Sequence, residues 1–138
     1  MSIPQDVIRQ AAAIPVRNGR VCLVNSRNGK RWVIPKGCRE IGKTAGEIAL
    51  QEAWEEAGLM GALEKEPAGT YLYEKAGNRY HVTVFVLHVT QITDDFPEQH
   101  FRTRRWLTFR QALANVEDRG LRKLLCRVLA RDRVVLVS

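Results

Sequence analysis

The segment TAGEIALQEAWEEAG, residues 44–58, leaves its backbone little choice. Thr44 and Glu47 match a capping box, T-x-x-E, which marks a helix start. Ala, Leu, Glu and Trp carry the helix to Ala57, and Gly58 suits the left-handed residue that closes it. On this helix Leu50, Ala53 and Ala57 fall on one side and are expected to pack inward. Glu52, Glu55 and Glu56 stand on another, at i, i+3 and i+4. Like charges at that spacing repel by about 0.2–0.5 kcal/mol per pair. They also crowd the last turn, where the helix dipole is negative. Either the face is simply solvated, or something positive is meant to meet it.

Strand signals surround the helix. Asn18-Gly19 and Asn28-Gly29 are strong turn dipeptides between apolar runs. Strands are expected at residues 11–16, 20–25 and 31–34, with Pro15 arguing for an edge position or a bulge. KGCREIGK, residues 36–43, reads as a loop. GTYLYE and NRYHVTVFVLHVT read as two strands joined by the turn KAGN. The second is long and apolar on both faces, as a central strand would be. On it His81 shares one face with Phe85, and His88 shares the other with Val86, and both are expected to pack or to lie at an edge. TDDFPEQHFRT reads as a polar loop and RRWLTF as a short strand. Apolar positions at helical spacing around Leu113, Leu121, Leu124, Leu125 and Leu129 predict a closing helix or two. The tail RVVLVS suggests a last small strand. This order predicts an α/β fold, a mixed sheet sandwiched between helices (α/β/α). With 138 residues and no linker or repeat, residues 1–138 are expected to form a single domain.

The balance of 22 Lys and Arg against 15 Asp and Glu gives a net charge of +7, which favours anionic partners. No apolar run approaches the roughly 18 residues of a membrane span. MSIPQDVIRQ lacks a signal-peptide pattern. Cys22, Cys38 and Cys126 form no C-x-x-C pair, so neither a disulfide framework nor a zinc site is expected. Together these readings predict a cytoplasmic protein.

Gly37 to Leu59 resembles the Nudix box, G-x5-E-x7-R-E-U-x-E-E-x-G-U, where U is a bulky apolar residue. Gly37, Glu52, Glu55, Glu56, Gly58 and Leu59 fall in register, and Ala53 takes the first U position. Two positions depart from the signature. Lys43 stands where the family has its first glutamate, and Gln51 where it has an arginine that orients a neighbouring catalytic glutamate. The resemblance implies the Nudix fold and hydrolysis of a phosphoanhydride. The chemistry accounts for the acidic face: Mg²⁺ or Mn²⁺ takes carboxylate oxygens, with waters and substrate phosphates completing its shell. Glu52, Glu55 and Glu56 are the expected ligands. By resemblance the Gly37 carbonyl joins them, and Glu98 is a candidate base or metal ligand after the long strand, with Asp94 and Asp95 as competitors.

Within the family the chain is most similar in style to the diphosphoinositol polyphosphate and dinucleoside polyphosphate hydrolases, through RQAAAIPV, LVNSRNGKRWVIPKG, QEAWEEAGLMG and RTRRWLTF. That implies a polyphosphorylated small molecule as substrate. Candidate phosphate contacts are Arg9, Ser26, Arg27, Lys36, Lys43, Arg102, Arg104 and Arg105. Guanidinium groups clustered as in RTRRW suit phosphate better than a lone arginine. Trp32, beside Arg31, is a candidate for the pocket border. Membrane and nucleic acid are not the expected partners, and a monomer or homodimer fits the reading. Lys43 and Gln51 keep open a catalytically weakened ligand-binding module, and the basic balance keeps open an RNA 5′-end pyrophosphohydrolase.

Overall fold

The computed structural model describes the backbone of residues 7–137 and side chains through residue 131. Met1 to Asp6 and Ser138 lie outside it. The elements run β1 (Val7–Arg17), β2 (Arg20–Asn25), β3 (Trp32–Val33), β4 (Lys36–Cys38), α1 (Ala45–Ala57), β5 (Leu59–Leu63), β6 (Gly69–Lys75), β7 (Asn78–Ile92), β8 (Arg104–Thr108), α2 (Phe109–Asn115) and α3 (Arg119–Val137).

The strands build one mixed sheet in the order β3-β2-β1-β7-β5, with β4 also on β1, β6 on β7 and β8 on β2. Its spine is a parallel ladder between β1 and β7, from Val7 opposite Arg79 to Val16 opposite His88. The other pairings are antiparallel. Residues alternate between the faces of β7 and feed two cores. Val82, Val84 and Val86 join Ile14, Leu23, Tyr71 and the buried leucines of α3 on one face. Phe85, Leu87 and Val89 join Ala49, Ala53 and Ala57 of α1 on the other. The α/β/α sandwich predicted from element order is therefore present. Among the described residues no helix is long and apolar enough to cross a membrane.

Several expectations need correction. Residues 36–38, read as loop, pair with Gln10–Ala12 as β4. Leu59–Leu63, given no element by the sequence, pairs with β7 as β5. RVVLV is not a strand but the end of α3. Leu50 is 37% exposed, so the inward stripe of α1 is Ala49, Ala53 and Ala57. Pro15 lies on a central strand. It sits where β4 pairing has ended at Ala12 and β2 pairing has not begun before Val16. The Ala13 N–H points to that side, donating to the Pro35 carbonyl at 3.1 Å. By alternation the N–H that Pro15 lacks would point into the same gap, so the ladder loses nothing there.

Candidate active site

Helix α1 is held at both ends as its sequence requires. Thr44 and Glu47 form the reciprocal capping box, and Gly58 (φ 65°) donates to Ala53 and Trp54 carbonyls. The alanine stripe keeps α1 close to the sheet and sets the flanking glutamates beside the entry to β4. Glu56 is only 4% exposed. Its Oε2 accepts the Lys36 backbone N–H at 2.9 Å, and its Oε1 accepts Arg102 Nη2 at 2.8 Å.

Arg102 is the hub. Its side chain is 6% exposed. It also donates from Nε to Glu98 Oε1 at 2.9 Å and from Nη1 to the Asn25 carbonyl at 2.6 Å. The Glu98 N–H in turn donates to the Glu55 carbonyl at 3.0 Å. The loop before β8 is thereby fastened to the end of α1, and Glu98 comes to the same place as Glu52 and Glu56. Arg104 fastens the same corner, donating to the Ala57 and Thr93 carbonyls at 2.6 Å and pairing with Asp94.

Glu52 lies over Gly37. A Cβ on Gly37 would stand 2.3 Å from Glu52 Oε1, so the carboxyl occupies space that any larger residue would take. Burial first, then the charges of Glu56, Glu55 and Glu98, push the Glu52 carboxyl up to about 8. Burial pushes Glu56 up to about 7, against the pull of Arg102 and the Lys36 N–H. Burial also holds the Lys36 ammonium below its usual range, with Glu56 opposing. Glu55 Oε1 accepts Gln51 Nε2 at 3.2 Å, and Gln51 Oε1 accepts Lys43 Nζ at 2.6 Å.

Among the described residues no three acidic, histidine or cysteine side chains are already spaced to enclose a metal ion. The donor chemistry nevertheless fits a hard divalent cation. The acids offer only carboxylate oxygens, and Arg102 pairs with two of the four, Glu56 and Glu98. Protons held on Glu52 and Glu56 near neutrality are what a divalent ion displaces.

Lys36 joins this corner to a cleft of about 400 Å³. Ser26, Trp32, Lys36, Tyr73, Lys75 and Asp118 are among its walls, so Trp32 does border a pocket. Lys36 Nζ lies 5.4 Å from the Tyr73 ring centre. Of the eight candidate phosphate contacts, Ser26 and Lys36 line this cleft. The Arg105 guanidinium does not line the cleft but lies 5.2 Å from the ring centre of Trp32, which does. Arg27 is exposed and lies 5.8 Å from the Phe101 ring centre. Arg9 lines a different pocket, with Leu72 and His81. Arg102 and Arg104 spend the bonds described above inward, on the protein itself, and Lys43 meets Gln51 and Glu40 at the far side of the helix face. Sequence reasoning missed the contributions of Asn25 and Lys36 to the acidic corner. What it missed are the Lys36 N–H and the Asn25 carbonyl, backbone atoms for which side-chain identity carries no signal.

A family model for the NUDIX domain matches residues 7–128. The chain belongs to the Nudix family. Nudix hydrolase 12, mitochondrial, of Arabidopsis thaliana is 37% identical over 101 residues, covering 67% of this chain and 50% of the plant protein. Diphosphoinositol polyphosphate phosphohydrolase 3-beta of Bos taurus is 33% identical over 117 residues, covering 80% and 70%. Among solved structures, C. elegans Ap4A hydrolase superposes with a TM-score of 0.74 at 21% identity, covering 90% of this chain and 97% of that one. At that identity the likeness speaks for the Nudix fold. The chain spans between 50% and 60% of the length of the plant Nudix hydrolases it matches. Nudix proteins generally use divalent metal ions such as Mg²⁺.

Proposed function

We propose that residues 1–138 act as one Nudix domain, a divalent-metal-dependent pyrophosphohydrolase. Its substrate is a nucleoside- or inositol-linked polyphosphate, cleaved at a phosphoanhydride. One observation carries this reading: Glu52, Glu55, Glu56 and Glu98 gather at one helix end, more negative charge than Arg102, which pairs with only two of them, can meet. In the proposed site Glu52, Glu55, Glu56 and the Gly37 carbonyl hold Mg²⁺ or Mn²⁺. When bound, that ion neutralises phosphate charge and lowers the pKa of a coordinated water.

The chain's own groups do the rest. Arg102 orients the Glu56 and Glu98 carboxyls and opposes the effect of burial on Glu56. Glu98 stands where it can accept a proton from an attacking water. The cleft that Lys36 shares with Trp32 and Tyr73 receives the rest of the substrate, with Ser26 at its wall, Arg105 against Trp32 and Arg27 next to Ser26. The bovine relative's name supports a phosphorylated small molecule as substrate. A monomer or homodimer acting without a membrane or nucleic-acid partner suits such a task.

The test is turnover of diadenosine polyphosphates and diphosphoinositol phosphates in Mg²⁺, Mn²⁺ or EDTA, with Glu56→Gln beside wild type. Metal-dependent turnover that falls by about 10²-fold or more in Glu56→Gln is the expected result. Binding of these ligands without turnover would favour a weakened binding module instead.

A further inference from the structure

The two departures from the Nudix box are joined to each other in space. Lys43 Nζ donates to Gln51 Oε1 at 2.6 Å, and the same ammonium lies 3.1 Å from Glu40 Oε2. Gln51 then donates from Nε2 to Glu55 Oε1 at 3.2 Å. The result is a chain, Glu40 to Lys43 to Gln51 to Glu55, running from the loop before α1 onto its acidic face.

The chemistry of the end groups fixes the middle one. A lysine ammonium has donors and no acceptor, and an ionised carboxylate has acceptors and no donor. A primary amide between them has one favourable orientation: carbonyl toward lysine, NH₂ toward glutamate. With glutamate at position 43 the preference would reverse, setting the amide carbonyl against Glu55. A glutamate at 43 instead suits a donor-only arginine at 51, which is the pairing in the box signature. Each pair is internally consistent and each cross-combination is not.

We infer that Lys43 and Gln51 are coupled positioning residues, in which the lysine sets the amide of Gln51 so that its NH₂ holds the Glu55 carboxylate. This rests on the proposed role of Glu55 as a metal ligand. Where the signature has a glutamate and an arginine, this chain has an ammonium donating to a neutral amide, which leaves no net positive charge directly on Glu55. Lys43 acts through Gln51 and not on substrate phosphate.

The experiment compares Lys43→Arg, Lys43→Glu, Gln51→Arg, the double variant Lys43→Glu/Gln51→Arg, and Glu55→Gln. Two quantities are read: Mn²⁺ affinity of the substrate-free protein by electron paramagnetic resonance, and kcat and KM separately with a diadenosine polyphosphate. Lys43 is exposed and Gln51 and Glu55 are half-buried, and melting curves verify that each variant folds. Lys43→Arg is expected to match wild type. Lys43→Glu and Gln51→Arg should each lose about 10–100-fold in Mn²⁺ affinity or kcat with KM little changed. The double variant should recover most of that loss, which a merely structural surface pair would not require.

Unchanged Mn²⁺ affinity and kcat in Lys43→Glu, with Glu55→Gln impaired, would overturn the inference and leave the functional reading standing. So would a raised KM at unchanged kcat, which would put Lys43 on the substrate. If Glu55→Gln itself matches wild type in both quantities, the functional reading falls and the relay falls with it.

Discussion

Arg102 carries more of the acidic corner than any glutamate does, because it is the cation that lets two of them stay buried. Removing it leaves Glu56 without its charged partner at a site almost closed to water. Arg102→Ala is expected to destabilise the fold by about 3–5 kcal/mol at pH 8, measured by urea denaturation. The loss should shrink at pH 5, where Glu56 takes a proton and no longer needs the guanidinium. An equal loss at both values would count against a charged Glu56. Gly37→Ala tests a different constraint. Its methyl would enter the space of the Glu52 carboxyl, so the melting curve should change little while Mn²⁺ affinity falls by about 10–100-fold. At this scale Glu52, Glu55 and Glu56 were legible because helical spacing alone puts them on one face. Arg102 was legible only as a cation. Its role depends on Asn25, Glu56 and Glu98 meeting at one point, which spacing along the chain does not reveal.

Elements with strong local signals formed where the sequence put them. The Asn18-Gly19 turn, the capping box of α1 and the long run of β7, apolar on both faces, each encode their own geometry. The short strands β4 and β5 do not. KGC and LMGAL contain glycine and lack β-branched residues, and they become strands only because β1 and β7 offer free edges. The tail is the converse case. RVVLV has strand-like composition, yet it continues a helix already begun at Arg119. Gly61 marks how closely β5 is drawn in, beside an irregularity in its register with β7. A Cβ there would stand 2.0 Å from the His88 carbonyl oxygen. Gly61→Ala should therefore destabilise by about 1–3 kcal/mol in urea titrations. Little change would mean that β5 is held less tightly than its pairing implies.

For the molecule as a whole, the acidic corner should be visible in how stability depends on pH. Folded, Glu52 and Glu56 keep protons to about pH 8 and about pH 7, against an ordinary value of 4.5 for an unfolded glutamate. Across that window the folded state binds more protons than the unfolded one, so stability falls as pH rises. Glu47 and Glu64, whose carboxyls are shifted downward, act only in more acid solution. In EDTA the melting temperature should be higher at pH 5 than at pH 8.5. Mn²⁺ should raise it more at pH 8.5, where it no longer competes with protons. Calorimetry at both values, with and without the ion, checks this, and a profile indifferent to both would contradict it. The spine of the sheet has a consequence of another kind. β1 is the first described strand to be synthesised, but its mate β7 follows about seventy residues later. At about 5–20 residues per second, a translating ribosome takes roughly 4–14 s to cover that distance. During that interval the edge of β1 that meets β7 stays open, so a product truncated before residue 79 is a natural target for chaperones and proteases.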